Sequence, residues 1–436
     1  MTRLTAGAAC AQLLFVLGLA QPAMATESDP GQETVAPPST TVGQAWEGFF
    51  PSSAQLGWDG NMELDVGYAA YGFADNNFPP QDFHDFRGRL VFGPTFRIDL
   101  GSDYLLEMRG EAVLWVRERF NVYQINTDDV WARIGNDYWN LQVGRFFGWW
   151  VFNKGLGFDL FTLEDTGAHT DNVAFGADLY EVNHLFFRSN GPGDAAIHLY
   201  PIPDTLGIQA KLVFGQDLQE RNVLGGRVAA DLDLDYLRLV VGAEITTSRP
   251  SIEIQTQNVE GIVTPCDDCD RRQASGFGAS LTLNLHSWGV PLELAGNYAA
   301  SSFERNSRIA PGSEESQSTG TLQSFGGVAS FDVGKVAFGR SLLIGGGWFR
   351  TTVLPNNNDF SEHDQGSAFV LFPLGYNDLQ RRGPGAWPNQ RFTTSHVKLV
   401  FSSALATLEN DTGDGVTFLR QTSDMQALRL RFTFMF

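Results

Sequence analysis

The chain is 436 residues long, with 47 Gly, 34 Phe, 12% aromatic and only 18% charged residues, and its 30 basic against 50 acidic residues leave a net charge of −20. So many aromatics exclude a disordered acidic chain, and the negative charge argues against a nucleic-acid partner, whose phosphates it would repel. Mean hydropathy is −0.15, the usual value of a soluble protein, but a barrel that averages a greasy face with a wet one has the same mean, so hydropathy does not choose between them.

Residues 1–25 carry one basic side chain, Arg3, then an apolar stretch from Leu13 to Ala20, then Ala23-Met24-Ala25. This is the order of a secretory signal peptide with cutting expected after Ala25; the apolar stretch is too short for a membrane helix. Residues 26–45 are rich in Pro, Ser, Thr and Gly without hydrophobic periodicity and read as a flexible leader. The body is expected to span residues 46–436.

From there the sequence alternates with period two. Leu90, Phe92, Phe96, Ile98 and Leu100 share one face and Arg89, Thr95, Arg97 and Asp99 the other; Leu106, Met108, Ala112, Leu114 and Val116 stand against Glu107, Arg109, Glu111 and Arg117. The pattern returns in Leu206–Phe214, Leu237–Ile245 and Phe277–Leu285. Alternation of this kind marks β-strands, here about ten residues long where five or six is usual. A charged polar face opposite an apolar one, repeated with Gly/Asn/Asp-rich connections and no helix between, suits a transmembrane antiparallel barrel, with lipid outside and water within. Spacing of roughly 23 residues per strand and connection predicts about 16 strands, with 14 or 18 as alternatives. The aromatic run Phe146-Phe147-Gly148-Trp149-Trp150-Val151-Phe152 is expected to form an interfacial girdle, or, if it faces inward, a sugar-stacking track.

In the last stretch Leu428, Leu430, Phe432, Phe434 and Phe436 alternate with Arg429, Arg431 and Thr433, and the sequence ends on Phe436. Here it resembles bacterial outer-membrane barrels, whose final aromatic is read by the barrel assembly machinery. Leu141-Gln142-Val143-Gly144-Arg145-Phe146-Phe147, Phe161-Thr162-Leu163-Glu164-Asp165 and Gly226-Arg227-Val228-Ala229-Ala230 resemble segments of the phosphate-selective (O and P type) porins, with Asp165 standing where that family often has Arg. The resemblance implies the outer membrane of a Gram-negative bacterium, a homotrimer and a loop folded into the pore. Outer-membrane lipid and lipopolysaccharide are the expected surroundings.

If the apolar face meets lipid, Arg89, Arg97, Glu107, Arg109, Glu111 and Arg117 point into the lumen together, and Arg145 is assigned to the same lining. All but four of the 30 basic residues are Arg, which stays charged and forks onto carboxylates or phosphates. The stretch 154–172 interrupts the alternation and carries Lys154, Asp159, Glu164, Asp165 and Asp171; it is either a constriction loop or an outward surface loop. Cys266 and Cys269, in a lone CxxC without a second ligand pair, read as a small loop disulfide rather than a metal site. No cofactor is implied, and the seven His lie in no nucleophile-elbow setting, so no enzyme is expected. The reading is a porin that passes small hydrophilic, charged solutes by diffusion; the alternative is a substrate-specific or polysaccharide-exporting barrel closed at rest. The sign of selectivity stays open, because acidic loops and arginine-bearing strands oppose one another.

Overall fold

The computed structural model describes residues 54–73, 81–117, 122–146, 148–149, 151, 193–216, 221–234, 236–250, 256–257, 263–264, 271–307, 316–334, 341–355, 360–374, 395–411 and 418–435. The first half of these forms strands β1 (Ala54–Phe73), β2 (Gln81–Gly101), β3 (Tyr104–Arg117), β4 (Val122–Gly135), β5 (Trp139–Arg145), β6 (Gly193–Ile202), β7 (Leu206–Gln216), β8 (Arg221–Asp233) and β9 (Leu237–Pro250). A small separate ladder follows, β10 (Thr256–Gln257) with β11 (Val263–Thr264). The second half continues as β12 (Arg271–Asn284), β13 (Leu292–Ser307), β14 (Ser316–Asp332), β15 (Leu343–Pro355), β16 (Phe360–Pro373), β17 (His396–Asp411) and β18 (Phe418–Met435). Apart from β10 and β11, these sixteen strands of the described residues pair antiparallel with their sequence neighbours, and β1 pairs with β18 to close a barrel. Closure removes the unpaired edges that an open sheet of this length would expose.

Alternation sorts the side chains between two environments. On β7, Leu212 and Phe214 are exposed while Gln209, Lys211 and Val213 are buried; on β9, Leu239, Val241 and Ile245 are exposed while Arg238, Val240 and Glu244 are buried. The exposed face is therefore apolar and the occluded, inner face polar, the reverse of a soluble barrel. At one end of the barrel, strands are joined by tight connections whose polar side chains hold the chain: Asp99 accepts from the Gly101 N–H (2.8 Å), and Asn136 accepts from the N–H groups of Tyr138 and Trp139 (2.9 and 3.1 Å).

Outward-facing aromatics collect in two bands. One lies at the tight-turn end, where Tyr104 meets Trp139 (6.0 Å between ring centres) and Tyr236 stacks on Trp288 (5.7 Å). The other lies further along the strands, where Phe277 meets Tyr298 (6.0 Å) and Phe325 meets Trp348 (5.6 Å). Beyond this second band the outward positions of β14 become Gln323 and Thr321, both exposed. The run Phe277–Asn284, at about 3.3 Å per residue and a tilt of about 40°, puts roughly 18 Å between the bands, within the apolar height of about 25 Å of an outer-membrane barrel.

The number of strands is the one expected, but the strands are longer than the alternation that revealed them. The first runs for twenty residues, Ala54–Phe73, with Leu56 and Trp58 on its outward face, about twice the ten-residue length that the alternation suggests. The expected signal peptide and leader, the candidate loop 154–172 with Lys154, Asp159, Glu164, Asp165 and Asp171, the cysteines Cys266 and Cys269, and the terminal Phe436 all lie outside the described residues.

Candidate functional site: the inner wall and an inward stretch

One row of cross-strand neighbours crosses the inner face from β1 to β12. Successive register partners are Gln55, Arg97, Glu107, Arg133, Gln142, Ala196, Lys211, Arg227, Glu244 and Gly276. Its first part is a three-residue ion cluster. Arg97 donates Nε and Nη2 to Oε1 of Glu107, both at 3.1 Å, while Arg133 donates Nε to Oε2 at 2.9 Å and Nη2 to the same oxygen. Arg133 also lies over the ring of Trp131, 5.3 Å from its centre. The two guanidinium groups are 53% and 36% exposed and the shared carboxylate only 5%. Water on this wall therefore meets two cations with their single counter-charge tucked behind them.

A second cluster joins the ends of the barrel. Arg431 forks onto Asp65 through Nε–Oδ1 (2.7 Å) and Nη2–Oδ2 (2.8 Å), and Arg429 adds a 3.8 Å contact to the same carboxylate. Nearer the tight-turn end, Arg238 forks onto Asp231 (3.1 and 2.7 Å) beside the buried Asp233 and Glu293. Among the described residues, no group of His, Cys, Asp and Glu is arranged to hold a metal ion.

The second part of the row is covered by the chain itself. After β5 the backbone leaves the wall and runs across the inner faces of β6 to β9, with Phe146, Trp149 and Val151 buried. Phe146 donates its N–H to Asp194 (3.2 Å) and its carbonyl accepts from Lys211 Nζ (2.6 Å), which also pairs with Asp194 (3.3 Å) and lies over the Phe146 ring. Trp149 donates its N–H to Gln209 Oε1 (2.8 Å) and its carbonyl accepts from Arg227 Nη2. The Trp149 ring stacks on His198 (5.3 Å between centres) and packs with Val151 against Ala229, Val240 and Tyr200. Glycine makes the approach possible: a Cβ on Gly148 would lie 2.9 Å from Arg227 Nη1, and one on Gly242 would lie 2.6 Å from a Val151 methyl. Phe146 and Trp149 thus form neither a lipid-facing girdle nor an open stacking track. The expectation failed because an aromatic run buries its area equally well against lipid or against the inside of its own barrel.

The residues singled out from sequence fall out as follows. Arg97 and Glu107 meet in the cluster above. Arg109 pairs with Glu111 at 3.4 Å on the same face of β3. Arg89 is half-buried on β2, in register with Glu63 and Trp115. Arg117 is in register with Arg87, and its side chain lies outside the described ones. Arg145 closes β5 opposite Val130, directly after Gly144 at φ +131°, where the alternation of the strand ends. The sequence reading did not single out Asp65, Arg133, Asp194, His198 or Gln209. Arg133 carried a usable signal, since it alternates with Val130, Ala132 and Ile134.

No family model matches the sequence, and no curated protein matches it. Among solved structures, outer-membrane-expressed OmpT of Vibrio cholerae superposes with a TM-score of 0.51 over 88% of this chain and 99% of its own, at 9% identity. The anion-selective porin from Comamonas acidovorans covers 88% of this chain and 100% of its own (TM-score 0.48, 11% identity), and OmpF of Salmonella typhi in complex with daunomycin covers 88% and 98% (TM-score 0.47, 13% identity). At these identities the likeness is one of fold.

Proposed function

We propose that the chain is an outer-membrane channel that lets small hydrophilic solutes diffuse down their own gradients, with a modest preference for anions. The apolar outer face between two aromatic bands supports the membrane setting, and the leader sequence supports export. A barrel of this width leaves room for water, and the stretch that follows β5, where the sequence resembles phosphate-selective porins, would narrow it from one side. Trimerisation, contact with lipopolysaccharide, recognition of Phe436 by the assembly machinery and a Cys266–Cys269 disulfide belong to the same reading.

The anion preference rests on a single observation. Arg97 and Arg133 are open to water while Glu107 between them is not, so the field at the surface of this wall is that of the guanidinium groups. The Asp231, Asp233 and Glu293 carboxylates at the tight-turn end are as buried as Glu107, but they outnumber the one Arg238 beside them, so a net negative charge opposes it from that end. That opposition keeps the preference modest. Single-channel recording in planar bilayers tests both parts: stepwise currents establish a pore, and the reversal potential in a KCl gradient gives its sign. A folded protein that never conducts rejects the channel and favours a barrel closed at rest; a potential of the cation-selective sign rejects the arginine wall.

A further inference from the structure

The Trp149 N–H is the start of a hydrogen-bond relay that can run in only one direction. A backbone N–H only donates, so Gln209 must present Oε1 to it (2.8 Å). The amide nitrogen of Gln209 then faces His198 Nε2 at 2.8 Å. For that contact to be a hydrogen bond, Nε2 must accept, so the imidazole is neutral and carries its proton on Nδ1. His198 Nδ1–H accordingly donates to Asn140 Oδ1 (2.6 Å). With its oxygen so engaged, Asn140 turns its own amide nitrogen to the Tyr200 hydroxyl (3.4 Å). Tyr200 lies beside the Trp149 ring, 6.0 Å between centres, and His198 stacks on that ring. The relay therefore begins at the backbone of Trp149 and ends against its side chain. Asn140, His198 and Gln209 are consecutive register partners on β5, β6 and β7, and all three are buried.

We infer that Gln209 and His198 are positioning residues that latch the inward stretch to the wall, by fixing which way this relay points. Each member has two possible orientations alone and only one in the relay. An imidazolium at position 198 could not accept from Gln209, the amide would turn, and a donor would face the Trp149 N–H. The two cation–carbonyl contacts from Lys211 and Arg227 are less restrictive, because an ammonium is a point charge with rotatable donors and Arg227 reaches the Trp149 carbonyl through Nη2 alone rather than through a two-pronged fork. The relay is stricter: a reversed amide puts donor against donor. Lys211 and Arg227 thus hold the stretch near the wall, and the relay sets where along the wall it sits. That the stretch narrows a conducting pore rests on the reading above; the latch does not depend on it.

Hydrogen–deuterium exchange of the refolded full-length protein, resolved to the Trp149 amide, tests the latch without any need for conduction. In the wild type this amide should be protected by at least a hundredfold relative to an unstructured peptide. Gln209→Met keeps the length of the side chain and removes both polar atoms, and it should speed exchange at Trp149 by tenfold or more, with ladder amides of β7 and β8 unchanged. His198→Phe keeps the ring stack but cannot accept from Gln209, and it should speed exchange by a smaller factor. If Gln209→Met loosens the whole ladder, the His198→Phe variant decides. Unchanged protection of Trp149 in both variants, or fast exchange in the wild type, overturns the latch. In bilayers, Gln209→Met should add rapid flicker to open-channel currents without changing their mean. A wild type that never conducts rejects the channel, while the exchange result still judges the latch.

Discussion

Lys211 and Arg227 are direct register partners on β7 and β8, two cations side by side on the inner wall, and each donates to a main-chain carbonyl of the same inward stretch. Like charges facing each other across a ladder are destabilising. Here Asp194 lies 3.3 Å from Lys211 and Glu244 lies 3.9 Å from Arg227, and the carbonyls of Phe146 and Trp149 supply the remaining negative partial charge. The wall and the inward stretch therefore complete one another: without the stretch each cation would lose one acceptor, and without the cations its carbonyls would be buried unmet.

Removing one member of this arrangement should be costly. The Lys211 and Asp194 side chains are fully buried, so Lys211→Met leaves a carboxylate in a dry site and the Phe146 carbonyl without its donor. Loss of one partner of a buried pair typically costs about 3–5 kcal/mol. Urea unfolding in lipid vesicles should show a drop of that order, and Asp194→Asn added to Lys211→Met should recover part of it. A single variant within about 1 kcal/mol of the wild type would show that the pair is not closed off from water.

Packing gives an independent check on the inward path. A Cβ at position 242 would sit 2.6 Å from a Val151 methyl and 3.1 Å from the Val228 carbonyl oxygen. Gly242→Ala should destabilise by about 1–3 kcal/mol, the usual range for overpacking, and Val151→Ala in the same chain should relieve most of it. Equal losses in the single and the double variant would mean that Val151 does not lie against β9.

How much of this was legible in the sequence depends on distance along the chain. The barrel was, because alternation is local: Phe277, Leu281 and Tyr298 announce an outward face within their own strands. The strand ends were not, since Gln323 and Thr321 continue a strand whose outward side has turned polar. The Arg97–Glu107–Arg133 cluster was half visible; strand parity puts all three on one face, but only register shows one carboxylate serving two guanidinium groups. The inward stretch was misread because Phe146 and Trp149 are apolar in either setting. The relay was beyond reach, for it joins residues 58 and 60 positions apart through side chains that look like ordinary polar wall.

Not every strand arginine belongs to the lumen, and Arg350 should behave differently from Arg97. Its register partner is the outward-facing Phe325, its guanidinium lies over the outward Trp348 ring, and it forks onto Asp364 at 2.8 and 2.7 Å. This pair stands at the level of the second aromatic band, where charge costs little. Arg350→Leu should leave conductance and reversal potential as they are and change stability by about 1 kcal/mol or less, as for a partly exposed ion pair. A shift in ion preference would place Arg350 on the conducting path and reverse the assignment of faces on β15.

The sign of selectivity turns on Arg97 and Arg133. Replacing both by Gln leaves Glu107 without its two counter-charges on a water-facing wall. Surface charges of this kind contribute a few tenths to about 1 kcal/mol, so the chloride-to-potassium permeability ratio should fall roughly two- to fivefold at 0.1 M KCl. Glu107→Gln should move it the other way, since the two guanidinium groups then act unopposed. Both shifts should shrink at 1 M KCl, where the screening length drops from about 10 Å to about 3 Å. Salt-independent shifts would mean that the variants had changed the shape of the pore. Shifts of the same sign in both would remove this cluster as the source of ion preference.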